Sequence, residues 1–240
     1  GKPVADIRID GAGKKVTRSD NCRVSDLSVS SDNLTFTYEA KSLPYPIDTS
    51  YYDNEKHTQA DALSVISFMD EMNYEGLSVS GLSDGYYGLT IGGEFIGRFT
   101  ARELERGINM ALLQNTPQYK QAMKIRQMNE ERWLKERKMR EFYWVEYNLM
   151  RKTGMLWACD EAAVDTLRKY RPHDIFLQWN GDLWLQYMHK GIREDCVNEQ
   201  QNLVDRIYEQ NKPIPLRIEI KKLQTVRDGA CPVFHRLEVF

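Results

Sequence analysis

The first hundred residues alternate between apolar and polar positions, and β-branched and aromatic side chains are prominent among the apolar ones. A period of two residues places every second side chain on the same face, so each such run predicts a half-buried β-strand. Gly92 and Gly93 predict a two-residue hairpin turn, because glycine accepts the positive φ that such turns require. The alternating runs are Val4–Asp10, Cys22–Val29, Leu34–Tyr38, Leu77–Leu82, Tyr87–Ile91 and Glu94–Phe99.

The hydrophobic period changes to 3.6 residues after Thr100, which indicates helices. Thr100 and Glu103 stand at capping-box spacing, in which the hydroxyl accepts from an amide of the first turn and the carboxylate accepts from the capping residue. We therefore expect a helix to begin here and to continue past Asn109. The apolar positions on its predicted face are Leu104, Ile108, Ala111 and Leu112.

Thr116 and Pro117 predict the start of a second, long helix, because proline at the first helical position lacks only an amide that would have no partner there. We expect this helix to run to about Arg151. Shorter helices are predicted near residues 159–170, 179–190 and 195–210, and one more within 59–73.

Strand patterning returns after Pro213 and Pro215, in Leu216–Ile220 and Val233–Phe240. Strands at the end of a chain must pair with others, so we expect these to return to the N-terminal sheet. The predicted fold class is α+β. A mainly antiparallel β-sandwich is expected from residues 1–99 with 213–240, a helical block from 100–212, and one compact unit from the two together.

Composition limits the classes of function. The chain has 240 residues, 41% of them hydrophobic, and a formal net charge of −2. That is enough apolar mass for a core, and the net charge does not favour nucleic acid or an anionic membrane. No apolar run is long enough to predict a membrane-spanning helix. The sequence begins at Gly1 without a start methionine, so we expect a mature form or an excised piece.

Charge and aromatic residues concentrate in the long predicted helix. Residues 118–152 hold ten Lys or Arg and five Glu, and all five tryptophans lie between 133 and 184. Basic residues among aromatics could indicate nucleic-acid binding. The five glutamates would repel phosphate, so an amphipathic helix with a solvated charged face is favoured. The tryptophans are interpreted as helix core, with sugar stacking as the alternative.

The cysteines and histidines do not form a recognisable metal site. Neither type clusters at zinc-ligand spacing, so we expect no metal and no other cofactor. We expect buried free thiols, with one long-range disulfide as the alternative. His57 and His173 are the histidines considered as a catalytic base, and a surface or hydrogen-bonded core role is favoured for both. The cysteines are Cys22, Cys159, Cys196 and Cys231.

Residues Gly81–Gly85 match the Gly-x-Ser-x-Gly pattern of a hydrolase nucleophile. That chemistry requires a strand before the serine and a helix after it. A second predicted strand follows here instead. We therefore interpret Ser83 as part of a turn between two strands.

One stretch resembles the segment that follows the catalytic domain in bacterial hydrolases of the SGNH (GDSL) type. Those proteins read roughly L-x-V-x-G-L, Y-x-L-x-I-D-G, an A-x-E-L-A-x-G-I-N-L-A block and then T-P. The resemblance covers residues 4–125 well and 126–212 poorly. The matching segments are Leu77–Leu82, Tyr87–Gly93, Phe99–Leu104, Gly107–Ala111 and Thr116–Gln118, preceded by Val4–Asp10, Val24–Leu27 and Leu43–Asp48.

This resemblance implies a C-terminal accessory domain of an esterase acting on acylated carbohydrate. The family's catalytic blocks, Gly-Asp-Ser, Gly-x-Asn-Asp and Asp-x-x-His, do not occur in this sequence, so no catalytic residue is assigned. The implied partner is an upstream SGNH domain, and the implied location is secreted or periplasmic. We expect the chain to assist substrate binding or cap the cleft without catalysing alone. The alternative is a structural, dimerising or protein-interaction domain without ligand.

Three polar residues in the best-matching blocks are the candidates for contact with substrate or with the catalytic domain. Asn109, Thr116 and Gln118 have no evident core role in the sequence. The alternative is a purely structural role, in which Asn109 caps a loop by hydrogen bonding and Thr116 is a helix N-cap.

Overall fold

The computed structural model describes residues 2–48, 51–52 and 57–224. The chain divides into two compact units, one with Gly1–Pro117 and the chain from Ile214 onward, and one with Gln118–Pro213. The sequence-based limit of the helical block, residue 100, lies 17 residues before this division. The expectation that both parts form one compact unit stays a prediction.

The first unit contains two main sheets and a small hairpin. Its strands are β1 (Ala5–Asp10), β2 (Lys15–Asp20), β3 (Cys22–Val29), β4 (Asn33–Ala40), β5 (Tyr51–Tyr52), β6 (His57–Thr58), β7 (Glu75–Ser80), β8 (Tyr86–Ile91), β9 (Glu94–Thr100), β10 (Ile108–Asn109) and β11 (Leu216–Lys222).

The four-stranded sheet has the order β10-β7-β1-β2. Within it β1 and β7 are parallel, and the other two pairs are antiparallel. Strand β2 was not predicted. Its side chains are exposed or half-buried along the whole strand, so no alternation marks it in the sequence.

The five-stranded sheet is antiparallel throughout and has the order β3-β4-β11-β8-β9. Strand β11 pairs with β4 on one side and with β8 on the other, which confirms that the chain returns to the sheet after the helical block. Gly92 and Gly93 join β8 to β9 with φ of 59° and 86°, as the predicted hairpin requires. The predicted strand Val233–Phe240 lies outside the described residues.

The core of the first unit lies between these sheets and confirms the alternating pattern. In β4 the buried positions are Leu34, Phe36 and Tyr38, with half-buried residues between them. Ile7 and Ile9 from β1 and Leu77 and Val79 from β7 complete the apolar face of the smaller sheet. All belong to one cluster of buried side chains. The α+β class and the antiparallel-rich sheets therefore agree with the sequence.

Two predicted helices of the first unit are shorter than expected. The expected helix within 59–73 is two single turns, α1 (Gln59–Ala62) and α2 (Phe68–Glu71). The capping box at Thr100 is confirmed, but α3 covers only Ala101–Arg106. Gly107, with φ of 94°, ends it, so Asn109 lies in a short strand and not on a helix. A 3₁₀ turn at Met110–Leu112 follows.

The long predicted helix is confirmed as α4 (Pro117–Val145), which continues as a π-helical turn over Glu146–Met150. Its charges pair along the helix at i,i+4 spacing, in Arg126–Glu130, Arg132–Glu136 and Arg137–Glu141. The helices that follow are α5 (Glu161–Tyr170), α6 (Ile175–Tyr187) and α7 (Lys190–Gln210), with a 3₁₀ turn at Arg171–His173.

The helical unit has its own buried core. Phe142, Val145 and Met150 from α4 and its π-turn pack with Leu167 and Trp184. Of the cysteines in the described ranges, Cys22 and Cys196 are buried and Cys159 is exposed, all as free thiols. Cys231 lies outside those ranges. No helix in the part of the chain that the structure describes is long and apolar enough to cross a membrane.

Candidate functional site

Asn109 is held by hydrogen bonds within the first unit. Its Oδ1 accepts from the amides of Glu75 and Ala111 at 2.9 and 3.1 Å. Its Nδ2 donates to the carbonyls of Met69 and Asn73 at 2.9 and 3.3 Å. The side chain therefore joins the start of β7 to the segment that follows α3, which is a capping role.

Thr116 and Gln118 are both buried. The Thr116 hydroxyl donates to the carbonyl of Leu113 at 2.9 Å. Asn109 and Thr116 lie in the first unit, and Gln118 begins the second. The contacts of Asn109 and Thr116 account for both residues within the fold. Contact of any of the three with substrate or with another domain stays a prediction.

Ser83 lies in the turn between β7 and β8, as the sequence indicates. Its Oγ is 3.1 Å from the Tyr87 hydroxyl and accepts from Lys222 Nζ at 2.6 Å. Neither neighbour is an imidazole, so the Ser83 hydroxyl is not part of a serine–histidine pair. The side chain of His57 lies outside the described residues. His173 is exposed in the helical unit.

An unusual backbone conformation marks a different place, in the loop between the π-turn and α5. Trp157 has φ of 64°, in the left-handed region that non-glycine residues rarely adopt. The residue as a whole is 45% exposed. Such strain persists only where the surroundings enforce it, and it is concentrated at functional sites. Trp157 is therefore the starting point for a candidate site.

Glu146 holds the Trp157 backbone by a hydrogen bond from within the helical unit. It is completely buried, at the first position of the π-turn. Its Oε2 accepts from the Trp157 amide at 2.9 Å, and its Oε1 accepts from the Trp184 indole at 2.8 Å. One carboxylate thus ties the loop to the core of the helical unit. π-turns of this kind occur frequently at functional sites.

Aromatic rings surround Trp157. Its ring is stacked at 30° on Phe142, with 6.4 Å between centroids. Tyr143 and Tyr147 meet it edge-on at 6.0 and 6.1 Å. Offset stacks and T-shaped pairs at these distances are the favourable arrangements of aromatic rings. The exposed indole is consequently held on three sides.

An open groove of about 580 Å³ runs beside this indole, and we call it the Trp157 groove. Met139, Tyr143 and Trp157 line it together with five residues of α7, namely Lys190, Arg193, Glu194, Val197 and Asn198. Its volume lies within the range of roughly 300–1,000 Å³ that small-molecule sites occupy.

Two of the three charged groups of the groove form an ion pair, and the third, Arg193, contacts backbone carbonyls and an aromatic ring. Lys190 Nζ lies 3.3 Å from a carboxylate oxygen of Glu194. The Nη1 of Arg193 donates to the carbonyls of Tyr187 and Met188 at 2.6 and 2.7 Å. The guanidinium also lies 4.9 Å from the centre of the Phe142 ring, a cation–π contact. The lining thus carries one net positive charge, that of Arg193, whose guanidinium is directed to the backbone and to the Phe142 ring.

A second aromatic surface lies elsewhere on the helical unit, and we call it the Phe176 face. Phe176 packs at 5.2 Å on Trp144 and at 5.5 Å on Trp179. Trp179 is 67% exposed, and Ile175 and Phe176 are exposed beside it. The interpretation of the tryptophans as core therefore holds for Trp184 and for the partly buried Trp144 but is wrong for Trp133, Trp157 and Trp179.

Neither aromatic surface was found from the sequence. In the sequence, Glu146 is one of five glutamates on a charged helix, and Trp157 is one of several aromatic residues interpreted as helix core. The concentration of tryptophans between 133 and 184 was the available signal. That concentration of tryptophans favours core packing, with sugar stacking as the alternative.

The comparisons relate the helical unit to a deacetylase. Residues 123–212 match the family described as the diltiazem deacetylase C-terminal helical domain. Both aromatic surfaces lie within this match. None of the curated proteins matches the chain.

A solved structure extends the similarity to most of the chain. The gut microbial diltiazem-metabolizing enzyme BT4096 is 36% identical over 93% of this chain, with a TM-score of 0.86. The chain spans half the length of that enzyme. The expected relation to the C-terminal domain of an esterase is supported at this level. The SGNH type, the carbohydrate substrate and the extracellular location stay predictions.

Proposed function

We propose that this chain is an accessory domain of an SGNH-type esterase that removes acyl groups from carbohydrate, and that it does not catalyse the reaction alone. The observation that carries the proposal is the similarity over 93% of this chain to half of a diltiazem-metabolizing enzyme. The match of residues 123–212 to a C-terminal helical domain of a deacetylase supports it.

The neighbourhood of Ser83 agrees with a non-catalytic role. An ester hydrolase needs an activated nucleophile and donors aimed at the developing oxyanion. Ser83 is followed by a second strand and not by a helix, and its hydroxyl accepts from Lys222 Nζ, so neither the strand–helix elbow nor a histidine base is present there. The reaction would therefore be performed by an upstream catalytic domain, with this chain assisting substrate binding or covering the cleft.

The substrate is proposed to be an acetyl ester. A deacetylase removes acetyl groups, and diltiazem appears in the description of the matching family and in that of the similar enzyme. For this chain we propose acetylated carbohydrate, on the resemblance of residues 4–125 to the SGNH segment. Diltiazem is the natural second substrate to assay, because it distinguishes a sugar esterase from an enzyme for drug-like esters.

A structural or dimerising domain is the second candidate, and the Phe176 face favours it. Exposed, adjoining apolar side chains of this size mark protein-interaction surfaces. Ile175, Phe176 and Trp179 would then contact the catalytic domain or a second copy of the chain. Phe176→Ser would dissociate a dimer that forms through this face, as sedimentation equilibrium would show.

The test compares the 240-residue chain with the protein encoded by its whole reading frame. Both are assayed for acetate release from p-nitrophenyl acetate, acetylated xylose and diltiazem. We expect turnover only from the longer protein, whose upstream sequence should contain Gly-Asp-Ser and Asp-x-x-His. Turnover by the 240-residue chain that Ser83→Ala abolishes would contradict the proposal, as would a longer protein without esterase activity.

A further inference from the structure

We propose that the Trp157 groove is a binding subsite for a pyranose ring of a neutral carbohydrate. The inference rests on the proposed function and deepens it, since it names the place where the accessory domain holds the non-reacting part of the substrate. Three features of the groove carry it: a preorganised aromatic face, a polar stripe along α7, and the engagement of both its cations in existing contacts.

The aromatic face suits the apolar side of a sugar ring. The indole of Trp157 is partly exposed although it is in contact with Phe142, Tyr143 and Tyr147. A pyranose presents a flat face of C–H groups, which packs on the electron-rich face of an aromatic ring. Binding of a ligand would remove the remaining exposed indole surface from water.

The polar stripe suits the hydroxyl groups at the edge of such a ring. Lys190, Glu194 and Asn198 occupy positions i, i+4 and i+8 of α7. Their Cβ atoms therefore follow one another at about 6 Å along the groove. Together they offer an ammonium donor, a carboxylate acceptor and an amide that does both. A ligand that is apolar on one face and hydroxylated along its edge satisfies both sides at once.

The charge arrangement favours a neutral ligand over an anion. Lys190 is paired with Glu194, so an incoming anion would meet a carboxylate beside the ammonium. Arg193 already donates to two backbone carbonyls and lies over the Phe142 ring. Neither cation is therefore available for a phosphate or carboxylate without losing existing contacts.

The aromatic face is fixed before any ligand arrives. The left-handed backbone of Trp157 is strained, so the structure around it must compensate. The buried Glu146 carboxylate does so by accepting the Trp157 amide, and the same carboxylate is anchored by the Trp184 indole. A ring fixed in this way loses little conformational entropy on binding, which is a property of binding sites.

The test is a binding titration of the 240-residue chain, measured by isothermal calorimetry and by tryptophan fluorescence. The probes are xylotetraose, N,N′-diacetylchitobiose and methyl β-glucopyranoside, with indole as an aromatic ligand that is not a sugar. Trp157→Ala removes the face, and Asn198→Ala removes one polar group from an exposed helical position. Trp179→Ala is the matched control, because it removes an exposed tryptophan of the same unit outside the groove.

We expect at least one sugar to bind, and Trp157→Ala to weaken that binding roughly tenfold or more, as loss of one aromatic contact implies. Asn198→Ala should weaken it several-fold without changing the near-ultraviolet spectrum, and Trp179→Ala should have no effect. Binding that survives Trp157→Ala, or that Trp179→Ala abolishes, would place the sugar elsewhere. Binding of indole alone, or of no probe, would overturn the inference. Esterase activity of the longer protein tests the proposed function separately.

Discussion

Replacing Glu146 tests the central contact of the helical unit. Glu146→Ala leaves two donors without their acceptor, the Trp157 amide and the Trp184 indole. An unsatisfied buried donor costs about 1–3 kcal/mol, and a hydrogen bond to a charged acceptor contributes about 1.5–3 kcal/mol. We therefore expect the free energy of unfolding of the helical unit to fall by about 3–5 kcal/mol.

Glu146→Gln separates the two bonds. The amide keeps one acceptor oxygen but turns its NH₂ toward the other donor, so about half of the loss is expected, roughly 2 kcal/mol. Glu199→Ala is the control in the same unit. It breaks the exposed ion pair with Lys135, and such pairs contribute at most about 1 kcal/mol.

Urea unfolding followed by near-ultraviolet circular dichroism is the assay. All five tryptophans lie in residues 118–213, so their signal reports on the helical unit and not on the sheets. The fluorescence of the Glu146→Ala protein should also shift to the red, because Trp157 loses the bond that fixes its loop. A loss below about 1 kcal/mol with unchanged spectra would refute this account of Glu146.

Three further predictions concern the remainder of the chain. Asn109→Ala should destabilise the first unit by about 2–3 kcal/mol, because it leaves the Glu75 and Ala111 amides unpaired. The esterase efficiency of the longer protein should stay unchanged. Reduced efficiency at wild-type stability would instead place Asn109 at the cleft. Hydrogen bonds from the Thr100 amide and hydroxyl hold the pKa of Glu103 below its ordinary value. The contribution of Glu103 to stability is thus complete at neutral pH and is lost as the pH falls through that lowered pKa. Glu103→Ala should therefore cost about 1 kcal/mol of stability at pH 7 and much less at pH 3, as thermal melts would show. Glu105→Ala is the control. Cys159 should react with iodoacetamide before Cys22, whose thiol is buried and has a raised pKa; peptide mapping that finds the opposite order would contradict the described burial.

Alternation in the sequence predicts strands whose two faces differ in burial. In β4 the alternation of Leu34, Phe36 and Tyr38 is visible because polar residues separate them. Strand β2 is exposed along its length, so hydrophobic period carries no information about it. The hairpin at Gly92 and Gly93 was predictable because the residue type and the backbone conformation are directly linked.

The candidate site was not predictable, for a related reason. A glutamate on a helix with many charges is normally solvated, and burial of Glu146 follows only from the packing of α4 against α6 through Trp184. The positive φ of Trp157, whose amide donates to that carboxylate, has no signature in residue type. Asn109 stands out in the sequence as an unusual polar residue, but its hydrogen bonds depend on tertiary neighbours that the sequence does not name.

The most direct test of the account is the effect of Trp157→Ala on kcat/KM of the longer protein, measured on an acetylated oligosaccharide and on p-nitrophenyl acetate in parallel. An accessory domain that holds the sugar contributes binding energy only when the substrate contains one. We predict that kcat/KM falls roughly tenfold for the acetylated oligosaccharide and stays unchanged for p-nitrophenyl acetate. Equal losses on both substrates, or no loss on either, would contradict the account.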